Sequence, residues 1–158
     1  MGAGGLFYQK NFSLRIRVFV RFSASYPEYK PQIYGKGNKL EKLMILGSSL
    51  NLQDKVEFPF TLLEDMNLAA MFVLPSDYED MRNVLLEAMC MGVSCTSTDS
   101  PSGGSREMIQ DGVNGLLVPV GDEDTLVCGT KKWQAPHMQE ILLTMLIEYG
   151  RDLPAFLY

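Results

Sequence analysis

The chain has 158 residues, 46% of them apolar and 21% charged, enough apolar side chain for one domain with a real core, and this excludes a disordered chain. Fourteen Lys and Arg against nineteen Asp and Glu leave a net charge of −5, which argues against unaided binding of nucleic acid, where cationic surface must displace counterions. Three cysteines without a CxxC pair and a single histidine, His137, provide neither a disulfide framework nor a zinc set nor a histidine-based triad, so buried or half-buried free thiols and no metal are expected.

Taken in chain order, residues 14–22 alternate apolar and basic side chains, the period of a strand. The flanks of the same segment, Asn11 as a cap and Ser23-Ala24-Ser25, suit a helix instead, and the pattern alone leaves both open. Gln32-Ile33-Tyr34 reads as a strand ended by Gly35-Lys36-Gly37, and residues 40–50 carry helical spacing. A strand at 56–58, a helix at 62–69 and a buried strand at 70–74 closed by Pro75 follow. The spacing then predicts a helix over 83–91 stopped by Gly92, a strand over 94–98, a short helix over 105–110 and a strand over 115–120. Asp122 caps a last helix that begins at once. Beyond residue 128 the pattern loosens into an irregular tail, 129–158, with helical periodicity only at 138–149. The short apolar runs at 68–74 and 116–120 fall far below a membrane span, and Met1-Gly2-Ala3-Gly4-Gly5 shows no signal peptide; a soluble cytoplasmic domain is expected.

Strands alternating with helices, without hairpin signals, imply crossover units and a parallel α/β sheet. In such sheets ligands sit at the carboxyl ends of the strands, which points to residues 35–37, 59–61, 75–82 and 99–106. The segment from Pro75 to Met89 is the most informative. Glu79 and Glu87 stand eight positions apart across a strand-to-helix turn, and eight residues of helix rise about 12 Å. Between them, the amides of Asn83 and Val84 are free at a helix N-terminus, an arrangement that favours a diphosphate. A carboxylate on each side of such a cradle suits the hydroxyls at the two ends of a nucleoside-diphosphate sugar. The same pattern also fits a solvated loop charge followed by an ordinary surface glutamate.

The ordered set of motifs goes further. Glu79-x7-Glu87 with Ala88-Met89 and Gly92 is followed by Ser97-Thr98-Asp99 and Ser102-Gly103-Gly104-Ser105-Arg106-Glu107, then by Asp111-Gly112-x2-Gly115-Leu116-Leu117-Val118 and Gly121-Asp122. Upstream stand Gln9-Lys10-Asn11-Phe12, Ile33-Tyr34-Gly35-Lys36-Gly37 and Leu52-Gln53-Asp54-Lys55-Val56. Over residues 3–126 this series resembles the nucleotide-sugar-binding half of the group 1 retaining glycosyltransferases. The resemblance implies a Rossmann-like, doubly wound parallel sheet, one half of a GT-B fold, spanning 1–128. It implies Glu87 on the ribose hydroxyls, Glu79 on the donor sugar and Lys10 on the diphosphate, where charge develops as the glycosidic bond breaks. The amides of Asn83 and Val84 would hold the same phosphates, and backbone near Pro59 and Phe60 would meet the base. It further implies hexose transfer from a UDP- or GDP-sugar to a glycan or lipid-linked acceptor without cofactor or metal, at most peripheral to the inner face of a membrane.

Departures from the family pattern are as informative as the match. Gly5 stands where an arginine is usual, Asp80 where the backbone normally passes as glycine, Arg82 at a small or proline position and Phe60 at a glycine. Pro31 enters an expected central strand, and Arg15 falls on a helix face that should be apolar. Only Met1–Gly5 precede Leu6, so a truncated first strand is expected, with the acceptor-binding half supplied by a separate domain or subunit. A non-catalytic nucleotide-sugar module and an inactive remnant are the alternatives. Among the lesser candidates, the 102–105 loop is read as cleft wall, Arg106 with Glu107 as a helix-start ion pair, and the acids Asp77, Glu79 and Asp80 as solvated.

Overall fold

A computed structural model describes residues 1–3, 10–35, 37–52, 66, 68–78 and 83–133. The strand expected at 56–58, most of the helix at 62–69 and the whole tail beyond 133 lie outside these residues.

Five short strands carry the sheet: β1 (Gly2–Ala3), β2 (Ile33–Tyr34), β3 (Phe72–Leu74), β4 (Cys95–Thr98) and β5 (Leu116–Val118). Every pairing is parallel: Gly2 faces Ile33, Val73 faces Thr96, and Ser97 faces Leu117. The strands form a two-stranded ladder, β1-β2, and a three-stranded one, β3-β4-β5; the Val73 amide donates to the Met1 carbonyl at 2.9 Å just before β1, which lays β1 beside β3 in the spatial order β2-β1-β3-β4-β5. The chain therefore winds outward from β1 in one direction and from β3 in the other, the doubly wound arrangement, with its switch point between β1 and β3. Pro31 stands just before β2 and takes no place in its ladder, so the expected cost of a missing N–H in a central strand does not arise.

The helix α1 (Phe12–Ser23) resolves the ambiguous segment. Leu14, Val18 and Phe22 pack with Met71, Val73, Val118 and Leu126, while Phe12 and Ile16 pack with Ile33, Leu43 and Leu52. Two adjacent helical stripes, each buried against a different neighbour, interleave along the chain into an apparent period of two. Arg17 and Arg21 fall on the remaining face and reach Glu123 and Asp124. The helix α2 (Leu40–Ser49) closes the second of these clusters.

Helix α3 (Asn83–Cys90) covers the other face of the sheet, where Leu85 and Ala88 meet Phe72, Leu74, Cys95 and Ile109. Alternate residues of β3 thus serve opposite layers, as a pleated strand requires. Asp122 caps α4 (Glu123–Lys132), accepting from the Thr125 amide at 2.9 Å. This helix runs through position 128, and Trp133 beyond it is 2% exposed, its Nε1 donating to Thr96 Oγ1 at 2.8 Å. The packed structure therefore reaches past the point where the sequence pattern loosens.

Residues 105–110 do not form the expected helix. The Ile109 amide donates to the Ser105 carbonyl, but the Asn114 side chain then donates to the Met108 carbonyl and accepts from the Gln110 amide, taking the groups a second turn needs. Cys90 is half-buried and Cys95 buried, the latter thiol pushed by burial up to about 12, whereas Cys128 is exposed, contrary to expectation.

Candidate functional site

In a sheet of this order, a ligand crevice belongs at the switch point, outside the carboxyl ends of β1, β3 and β4. On the β1 side, Lys10 is half-buried and directly precedes Asn11. Asn11 takes a left-handed backbone (φ 43°), which asparagine adopts more readily than most residues, and its Oδ1 accepts from the Leu14 amide at 3.2 Å to cap α1. Its Nδ2 points the other way and donates to Asp77 Oδ1 at 2.8 Å. Asp77 belongs to the segment leaving β3, so this hydrogen bond crosses the switch point between residues 66 positions apart.

The β3 exit is in turn held by β4. Thr98 Oγ1 donates toward the Ser76 carbonyl at 2.5 Å and lies 3.3 Å from that of Leu74. Ser97 and Ser105 share a buried hydroxyl contact of 2.6 Å, and Ser100 and Ser102 another of 2.9 Å. The Ser97–Ser105 contact ties the 102–105 loop to β4. Arg106 does not pair with Glu107 as expected; it forms a two-point hydrogen-bonded ion pair with Asp99. That guanidinium holds the Asp99 carboxyl below its ordinary range.

Beyond the crevice, α3 starts at Asn83, with Asn83 exposed, Val84 half-buried and Glu87 half-buried one turn further on. Leu85 and Ala88 are the residues that fix the helix to the sheet, so Glu87 stands beside the buried face. Burial first, and the nearby Glu87 carboxylate second, push the Cys90 thiol above its ordinary value. Glu79, Pro59 and Phe60 lie outside the described residues, as do Gly5, Asp80 and Arg82.

A pocket of about 230 Å³ opens at the N-terminus of α1, lined by Asn11, Phe12, Ser13, Lys39, Lys42, Leu43 and Asp77. A second of about 340 Å³ lies at the opposite, amino ends of the strands, beside Pro31, Met71 and Tyr29, away from the crevice. Among the described residues no group of three or more His, Cys, Asp or Glu is close enough to hold a metal ion. Among them, too, no helix is long and apolar enough to cross a membrane. The Asp77 link and the two lysines of α2 and its approach were invisible in the sequence: the first joins distant segments, and the second depends on how α2 lies beside α1.

A parallel doubly wound arrangement with its switch point between β1 and β3 defines a Rossmann-like domain of the kind that forms half of a GT-B transferase. The chain matches the family described as Glycosyl transferases group 1 over residues 3–152, and it belongs to that family. It is 32% identical over 134 residues to the N-acetylgalactosamine-N,N'-diacetylbacillosaminyl-diphospho-undecaprenol 4-alpha-N-acetylgalactosaminyltransferase of Campylobacter jejuni, covering 83% of this chain and 36% of that protein. Among solved structures, the catalytic domain of cholesterol-alpha-glucosyltransferase from Helicobacter pylori superposes with a TM-score of 0.79 at 25% identity, covering 99% of this chain and 97% of that one. S. aureus TarM, solved with fondaparinux, alpha-GlcNAc-glycerol and UDP, shares the fold with a TM-score of 0.81 at 19% identity, over 94% of this chain and 32% of its own. The chain spans about a third of the length of the curated relatives it matches.

Proposed function

We propose that this domain binds the nucleotide-sugar donor of a retaining, metal-independent glycosyltransferase that passes a hexose to a glycan or lipid-linked acceptor in surface polysaccharide assembly. In this reading Lys10 neutralises the diphosphate as the leaving group gains charge, and the amides of Asn83 and Val84 add the partial positive charge of a helix N-terminus. Glu87 accepts from the ribose hydroxyls and Glu79 from those of the sugar, with backbone near Pro59 and Phe60 against the base. The opposite wall of the cleft, and with it the acceptor, comes from a second domain or subunit. Positioning of that acceptor accounts for much of the rate.

The observation that most supports this reading is the Asn11–Asp77 hydrogen bond, which ties the Lys10 turn to the segment leading toward Glu79 and α3 in a chain of this family. UDP bound in TarM and the undecaprenol-linked substrate in the name of the C. jejuni relative agree with the donor and acceptor classes. Calorimetric titration with a panel of UDP- and GDP-sugars tests it. Glu87→Ala should weaken both the free nucleoside diphosphate and the full donor, by about 1.5–3 kcal/mol for a hydrogen bond to a charged acceptor. Glu79→Ala should weaken the donor alone. Equal losses for both ligands in both variants refute the assignment, and no binding by the wild-type chain favours an inactive remnant.

A further inference from the structure

We infer that Asp77 is a positioning residue, a hydrogen-bonded latch that sets Lys10 against the β3 exit; this rests on the donor-site reading above. An aspartate at the mouth of a site for an anionic ligand repels that ligand, so its presence asks for a compensating role. The geometry supplies one. The Asp77 carboxylate is half-buried and accepts from Asn11 Nδ2 at 2.8 Å, while the same asparagine caps α1 through its Oδ1. Lys10 is the next residue back along the chain, so rotation of the Asn11 backbone moves Lys10 with it. From the other side, Thr98 Oγ1 holds the Ser76 carbonyl at 2.5 Å, which anchors the residue before Asp77 to β4. The latch therefore runs from β4 through Ser76 and Asp77 to Asn11, the residue next to Lys10.

A latch and a bare charge respond differently to substitution. Asp77→Asn keeps an acceptor for Asn11 and removes the charge, whereas Asp77→Ala removes both. The latch predicts that D77A weakens UDP-sugar binding by about three- to ten-fold, that D77N stays within about two-fold of wild type or binds more tightly, and that D77A adds nothing in an Asn11→Ala background. If Asp77 is only a repulsive charge, D77A and D77N both tighten binding alike, and the proposal fails. Amide hydrogen exchange on the ligand-free chain provides a reading independent of the donor. D77A should speed exchange at the start of α1 and around Ser76, and D77N should restore it. Unchanged protection in D77A overturns the latch. Loss of protection without any donor binding by wild type upholds the latch and refutes the donor-site reading instead.

Discussion

Arg15 is a sharp energetic anomaly in the domain. It sits on the buried side of α1, 4% exposed, with Nη2 donating to the Gln32 carbonyl at 3.2 Å and Nη1 without a hydrogen-bond partner. Among the described residues no carboxylate pairs with it. Gly2 makes room for it, since a Cβ there would fall on the guanidinium. Burial alone brings its pKa down to about 9. The fall corresponds to a ceiling of about 5 kcal/mol against folding at neutral pH. Arg15→Met keeps the apolar stem while removing the guanidinium and its charge, at the loss of the Gln32 hydrogen bond. We expect a net gain of about 1–4 kcal/mol, the range for replacing buried ionic groups by apolar ones, or roughly 3–12 °C in Tm for a chain of this length. The pH dependence fixes the cause. The folded state gives up the Arg15 proton before the unfolded chain does, so the penalty is complete below about pH 9 and diminishes as pH rises above it. Thermal melts followed by circular dichroism at pH 7.5 and 10.5 should therefore show the R15M advantage shrinking at the higher pH. Gly2→Ala should destabilise the wild type but cost little in the R15M background. An R15M variant that melts below wild type at pH 7.5 refutes the reasoning and makes Arg15 a satisfied structural residue.

Three further outcomes test other parts of the fold and site. The Thr125 side chain and amide hold the Asp122 carboxyl below its ordinary value, so its cap is present above about pH 4 and is lost as pH falls through the lowered value; Asp122→Ala should cut Tm by a few degrees at pH 7, and Asp122→Asn should keep the cap while abolishing its acid sensitivity. A chain ending at residue 128 loses Trp133 and the last turn of α4, and in urea it should be at least about 3 kcal/mol less stable than one ending at 133. In the donor site proposed above, Gly5→Arg combined with Asp80→Gly would add a cation and remove an anion; calorimetry should then show donor binding tightened about ten-fold, with the gain reduced at high salt.

The parallel order of strands and helices was legible because crossover units leave a repeating apolar pattern, and the β3 and β4 runs are buried on both faces. What the sequence hid has specific physical causes. The alternation in residues 14–22 mimics a strand because α1 is buried along two stripes, against β3 with α4 and against α2 with β2. Helix propensity over 105–110 is overruled by one side chain, Asn114, which occupies the turn's spare donors and acceptors. Arg15 was recognisable as out of place, yet nothing local showed that Gly2 is what accommodates it. Asn11 was legible as a cap from its place before a helix; its second hydrogen bond, to Asp77, belongs to tertiary structure alone.

The charges on the described residues that follow β3 and β4 bear on the role proposed for the departures at positions 5 and 80. Asp77 is engaged by Asn11 and Asp99 by Arg106, so each of these carboxylates already has a donor of its own. Arg106 is 70% exposed on its side chain and held on Asp99 by two nitrogens, so it would have to abandon that pair before serving a diphosphate. Swinging it inward would strand the Asp99 carboxylate, whose lowered pKa reflects that same contact. In the proposed donor site, the arginine already present after β4 is therefore a poor substitute for an arginine at position 5. A salt-sensitive gain from the double reversion would therefore support the proposed donor site, and no gain would count against it.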